Sequence, residues 1–181
     1  IGDFSYSNNG SSGRRKNNQF DQSFYSFESN HTINEQWFVL LQSLGTNQNR
    51  GIPGLVFSPS PKAHREDDLR LTQIKSLWQI PNHLFSLSVT TRKSDEHYIN
   101  PQYAVDSNHG LSTNQLELGW ITKPLESIEI DQKMTIKKES ILSTNTDTIS
   151  RIIQTYSHSI RWGLTRNLSN ESSLRFDKEK S

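Results

Sequence analysis

The chain contains no cysteine. That excludes disulfides and thiolate metal sites. Apolar residues are scarce, at 31% of 181 residues. A water-soluble domain this polar struggles to fill a core, and composition alone leaves disorder open as a rival. The charges nearly cancel, at +1, so nothing electrostatic points to nucleic acid. No apolar run approaches the length of a membrane-spanning helix. The sequence opens at Ile1 without a signal-peptide pattern and is expected to be a piece of a longer protein.

Four tryptophans stand out, at Trp37, Trp78, Trp120 and Trp162, spaced by 41, 42 and 42 residues. Each lies a few residues from a short-turn signal. Between them apolar and polar residues alternate with period two, the signature of strands with one apolar face. Ile128, Ile130, Met134 and Ile136 share a face, with Gln132 as its polar exception; Glu129, Asp131, Lys133, Thr135 and Lys137 share the other. Tyr156, Ile160, Trp162 and Leu164 share a face with His158, opposite Ser157, Ser159, Arg161, Gly163 and Thr165. Weaker alternation puts Tyr25 with Phe27, Ile74 with Trp78, Phe85 with Leu87 and Val89, and Leu116 with Leu118 and Trp120. The stretch Trp37 to Leu44 is apolar on both faces.

Short turns are expected near Asn30 to Glu35, Pro81-Asn82, Thr122 to Glu126 and Asn167 to Glu171, where Pro, Asn and Ser suit tight reversals. Long polar loops are expected near residues 8–19, 45–69, 93–112 and 140–150. Short and long alternate, giving an all-β, antiparallel up-and-down meander of about nine strands. Only one face of each strand must be apolar if the chain is part of a transmembrane β-barrel, because the other can line a wet lumen. The tryptophans then form an aromatic belt at one membrane interface. A β-propeller has repeats of about 40–45 residues but needs four strands in each. Here each period holds two long strands, and no Trp-Asp pair marks a blade.

Chemistry-bearing clusters are few. His31, His64, His83, His97, His109 and His158 share no metal-ligand spacing, and no metal or cofactor is implied. Glu66-Asp67-Asp68 lacks the alternating oxygen ligands and central glycine of a calcium loop. No Gly-x-Ser-x-Gly elbow occurs. The charges on the Glu129–Lys137 face suit cross-strand pairs in a lumen better than an acid–base dyad. Catalytic residues are expected to be absent, and the chain is expected not to be an enzyme.

Read by spacing alone, Arg50-Gly51-Ile52-Pro53-Gly54 and the charged run Arg65 to Arg70 make an ordinary surface loop. Taken in order with Phe4-Ser5-Tyr6, the looser Arg15-Lys16-Asn17-Asn18, and Ala63-His64-Arg65, they resemble TonB-dependent outer-membrane receptors. The resemblance covers roughly the first half of the chain. It implies a partial barrel domain over residues 1–181, lacking plug and closing strands, in a bacterial outer membrane. It also implies energy-coupled uptake of a bulky nutrient, such as a ferric siderophore or cobalamin. The implied partners are outer-membrane lipid, the bulky ligand, and a TonB-type energy-coupling protein acting through the plug. Capture needs aromatic and cationic groups around a mouth; Arg50, Arg65, Tyr98, Tyr103 and His109 are the candidates. A passive outer-membrane channel and a soluble β-propeller or β-sandwich binding module are the alternatives.

Overall fold

The computed structural model describes residues 2–14, 16–55, 58–144, 146–165 and 168–180. Arg15, Asn167 and the side chain of Leu164 lie outside the described residues. The architecture is all-β. Nine strands form one antiparallel sheet: β1 (Gly2–Ser11), β2 (Phe20–Asn34), β3 (Trp37–Gly51), β6 (His64–Ile80), β7 (His83–Asn100), β8 (Val105–Leu125), β9 (Ile128–Ser143), β10 (Thr146–Thr165) and β11 (Leu168–Lys180). A two-stranded hairpin, β4 (Gly54–Leu55) with β5 (Ser58–Pro59), sits in the β3–β6 connection. Every strand of the large sheet pairs with its neighbours in sequence order, and the sheet is open, with β1 and β11 at its edges. It does not divide into four-stranded blades, so the propeller alternative lacks its repeating unit.

The tight turns fall close to their expected places. Asn82 adopts a left-handed φ of 62° in the two-residue Pro81-Asn82 turn, a conformation that asparagine tolerates. Asn34 Oδ1 accepts a hydrogen bond from Gln36 N at 3.0 Å, closing the β2–β3 turn. Two turns come later than the sequence suggests: Asn30–Asn34 and Thr122–Leu125 belong to strands, and the reversals lie at residues 35–36 and 126–127. Residues 168–171 are likewise strand rather than turn.

The long polar loops are a larger departure. Residues 45–51, 64–69, 93–100, 105–112 and 140–143 are all strand, as are 8–11 and 146–150. Polarity on both faces signals loop by composition, yet cross-strand pairing of charged and amide side chains sustains strands surrounded by water. Arg65 Nη2 on β6 lies 2.9 Å from Glu96 on β7, across these extensions.

Register sorts the side chains into two faces. One row runs Trp37, Trp78, Phe85, Trp120, Gln132, His158 and Leu174 across the sheet. A second runs Leu41, Ile74, Val89, Leu116 and Ile136 on the same face. Trp162, opposite Ile128, also points there. All four tryptophans therefore share one face at the turn end of the sheet. Phe24 and Leu77, which break the alternation, fall on the opposite face, as do Phe38, Leu40 and Leu44. Tyr25 lies over Gly45 on the apolar face; any β-carbon at Gly45 would meet its ring.

The turns drift steadily relative to the Trp37 row. β3 begins on that row; β6 runs two residues past Trp78, to Ile80; β9 starts four residues before Gln132, at Ile128; β10 runs seven past His158, to Thr165. That is about one residue per strand. With strands about 4.8 Å apart and about 3.3 Å of rise per residue, it tilts the turn line by roughly 35–40° from perpendicular to the strands. Closed barrels carry this kind of stagger. The loop-side edge of the apolar belt stands at Tyr6 and Tyr25 on β1–β2, four residues nearer the loops than the level Leu41–Ile136 row of β3–β9. On β11 it falls at Phe176, two residues nearer the turns, while on β10 Ile152 carries the face two residues loopward of that row.

Among the described residues no packed core forms. Ala63 is the one buried hydrophobic residue among the described residues, and no large side chain is fully buried. Ile74, Val89, Leu118 and Phe176 are about half exposed or more, at 50%, 47%, 47% and 64%. An apolar face this continuous is stable only against lipid or another apolar surface.

Candidate functional site

At the loop end of the polar face, two adjacent rows gather most of the sequence-derived candidates. Phe20, Arg50, Arg65 and Tyr98 stand across from one another on β2, β3, β6 and β7. The next row runs Gln48, Asp67, Glu96, His109 and Ser143. Period-two alternation is the reason: Arg50 and Gln48, Arg65 and Asp67, and Tyr98 and Glu96 are each two apart and share a face.

Arg65 is fully engaged. Its Nε donates to Asp67 at 2.8 Å and its Nη2 lies 2.8 Å from Asp67 and 2.9 Å from Glu96. Arg50 is not. Its Nη2 is 3.8 Å from Asp67, and its Nε is buried with no partner among the described residues. His109 Nδ1 and Ser143 Oγ are 2.9 Å apart, and Tyr98 accepts from Asn100 Nδ2 at 3.2 Å. Such a surface offers one cation with unused donors, an aromatic phenol and an imidazole. Tyr103 stands apart, in a 3-10 turn (Pro101–Tyr103) beyond β7, and is 54% exposed.

The Glu66-Asp67-Asp68 run splits between faces: Asp67 turns to the arginines, while Asp68 pairs with Arg70 at 3.1 Å on the other side. No group of metal-ligating residues occurs among the described residues. No helix is long and apolar enough to cross a membrane, which says nothing of strands.

Just beyond the arginine row, the remaining sequence motifs meet in a knot. Asn17, at a left-handed φ of 58°, directs Nδ2 at the carbonyls of Ile52, Ser60 and Ala63, at 3.0, 2.7 and 2.6 Å. Gly51 N donates to Gln19 O at 2.9 Å, and Ile52 N to Ala63 O at 2.9 Å. A β-carbon on Gly51 would stand 2.6 Å from Asn17 O. The connection between β1 and β2 is thereby stapled to the one between β3 and β6. Sequence reading placed these residues in a motif but gave Asn17 no role. Its three acceptors lie 35, 43 and 46 positions away, and no local pattern announces them.

The known families can be set beside this geometry. No family model matches the chain, and no curated protein matches it.

The polar wall from β8 to β11 is laced with ions. Lys133 pairs with Glu117 at 2.9 Å, and Arg161 with Glu129 and Glu171 at 3.2 Å each. Glu139, three residues beyond the belt edge at Ile136, is held below its ordinary value of 4.5 by hydrogen bonds from Lys137 and Arg151. A carboxyl depressed in the folded state contributes stability that is present above its unfolded value and is lost as pH falls through the folded one. The β9–β10 pairing should therefore loosen as acid takes the solution below about pH 4.5. Glu139→Gln should flatten that acid limb when unfolding is followed against pH, and an unaltered limb would show that this carboxylate carries no such linkage.

Proposed function

We propose that the chain is part of the wall of a transmembrane β-barrel in a bacterial outer membrane, and that the barrel is a TonB-dependent receptor. The observation that carries the barrel is the stagger of the turn line, which slants across the register by about one residue per strand beside a continuous apolar face. On β9 the belt spans Ile128 to Ile136, nine residues with no charge on that face. About 9–11 tilted residues cross a bilayer. In this reading the apolar face is the convex, lipid-facing side, and Glu129, Asp131, Lys133 and Arg161 face the lumen. Trp37, Trp78, Trp120 and Trp162 sit at the interface on the turn side.

The receptor step rests on the motif resemblance and on the mouth it builds. Arg50, Arg65, Tyr98 and His109 would meet a bulky ligand, such as a ferric siderophore or cobalamin, arriving from the loop side. Uptake would draw energy from a TonB-type protein acting through a plug domain. The ion-laced wall of β8–β11 favours a passive channel as the second reading. Purified full-length protein in a planar bilayer separates the two: a plugged receptor stays closed, a channel conducts.

The orientation has its own test. In cells producing the full-length protein, added protease should cut the connections at residues 52–63 and 101–104 from outside and spare the turns at 81–82 and 126–127. Cleavage at both ends, or at the tight turns alone, would overturn the assigned topology.

A further inference from the structure

Charge on the apolar face is distributed unevenly about the belt. Between the Trp37 row and the Leu41–Ile136 row no Asp, Glu, Lys or Arg points to this face on β3 to β9. Toward the turns the face continues through Ile80, His83, Thr122 and Ile130, again without one. Toward the loops, the first charges met on β6, β7, β9 and β11 are cations: Arg70, Lys93, Lys138, then Lys178 and Lys180. On β2 and β8 the first charge is an anion, Asp21 four residues beyond Tyr25 and Asp106 ten beyond Leu116. Arg70 and Lys93 stand four residues beyond Ile74 and Val89, Lys138 two beyond Ile136, and Lys178 two beyond Phe176.

Two of these cations are already matched. Arg70 pairs with Asp68 at 3.1 Å and Lys93 with Asp95 at 3.0 Å. Lys138, Lys178 and Lys180 are exposed and have no ion pair among the described residues. Lys138 and Lys180 share a register row, separated by Ile152. The next row places Ser140 and Ser150 beside them, their hydroxyls 2.9 Å apart. Lysine on an edge strand discourages stray pairing, which could account for Lys178 and Lys180 on β11. It does not account for Lys138, two strands further in.

We propose that Lys138, Lys178 and Lys180 form a docking site for anionic, phosphate-bearing lipid headgroups in the leaflet on the loop side. The proposal rests on the membrane reading above. A position two residues beyond the belt edge lies at headgroup depth, and a lysine stem can stay in the apolar layer while its ammonium reaches a phosphate. Ammonium and hydroxyl groups both donate to phosphate oxygens. Among the described residues, the turn-side interface offers this face aromatic rings and no cation, so charge on it reads only the loop-side leaflet.

The experiment takes full-length protein into vesicles of phosphatidylcholine with a minority of phosphatidylglycerol, extracts it gently, and identifies retained lipids by mass spectrometry. Phosphatidylglycerol should be enriched over its bulk share. Each lysine near an anionic surface contributes roughly fivefold, so K138Q/K178Q/K180Q should lower the binding preference for phosphatidylglycerol over phosphatidylcholine, taken as a ratio of affinities, more than tenfold. The triple arginine variant should restore it, and Lys133→Gln on the polar face should leave it unchanged. Equal enrichment in the triple glutamine variant, or none in the unmodified protein, would overturn the site. Failure of the unmodified protein to insert at all would instead overturn the membrane reading.

Discussion

Met134→Arg in the full-length protein should cost about 2–4 kcal/mol of barrel stability, the penalty for a cation near the bilayer midplane. Met134 lies between Leu118 and Tyr156 on the apolar face. On β9 it stands midway between the tryptophan level near Ile130 and the first cation, Lys138. Ile128→Arg, nearer the turn, should cost only about 0–1 kcal/mol. Lys133→Gln, one residue from Met134 but on the other face, should stay within about 0.5 kcal/mol beyond the loss of its ion pair with Glu117. Folding titrations into lipid vesicles would read all three. A flat response along β9, or a penalty for Lys133→Gln equal to that for Met134→Arg, would reverse the assigned faces.

Asn17→Ala should release the β3–β6 connection from the β1–β2 connection. Three carbonyls lose their shared donor; Ala63 O keeps Ile52 N and Ser60 O keeps Ala63 N, so the cost of about 1–3 kcal/mol for an unmatched polar group falls mainly on Ile52 O. Hydrogen exchange should rise at residues 52–63 and stay constant in β8 to β10. Gly51→Val should do the same by another route, because a side chain there collides with the Asn17 backbone. Unchanged protection of residues 52–63 in both variants would mean that the staple holds nothing. Arg50 and Arg65 stand one residue inside it, so loosened loops should also blur the arginine row.

The two faces were legible because each strand repeats its message several times. Ile128 to Ile136 or Phe85 to Val89 need only period two to be read. The strand extensions at 45–51 and 93–100 were not legible. Their polar residues look like loop until the partner strand supplies Arg65, which stands opposite Tyr98 and reaches Glu96. Pairing partners are a property of register, and a single strand does not contain its register. The candidate site was half legible for the same reason. Arg50, Arg65, Tyr98 and His109 were chosen as cations and rings in polar segments, and alternation then put them on one face. Asp67 and Glu96, which neutralise Arg65, were hidden inside a charged run. Tyr103 was chosen on the same grounds, but the Asn100 cap turns the chain away before it.

Pairing only between neighbours in sequence has a consequence for how the molecule comes to exist. Each strand finds its template in the one just formed, so the sheet can grow by adding hairpins in order, and no described strand of it waits for a distant stretch of chain. Loops of this size close on timescales far shorter than those of folds built from remote contacts. The growing edge, however, is always a full-length row of open amides. Assembly of this kind is quick at every step and exposed at every step. It depends less on the order of events than on the edge being met by lipid and by the next strand before it meets another chain.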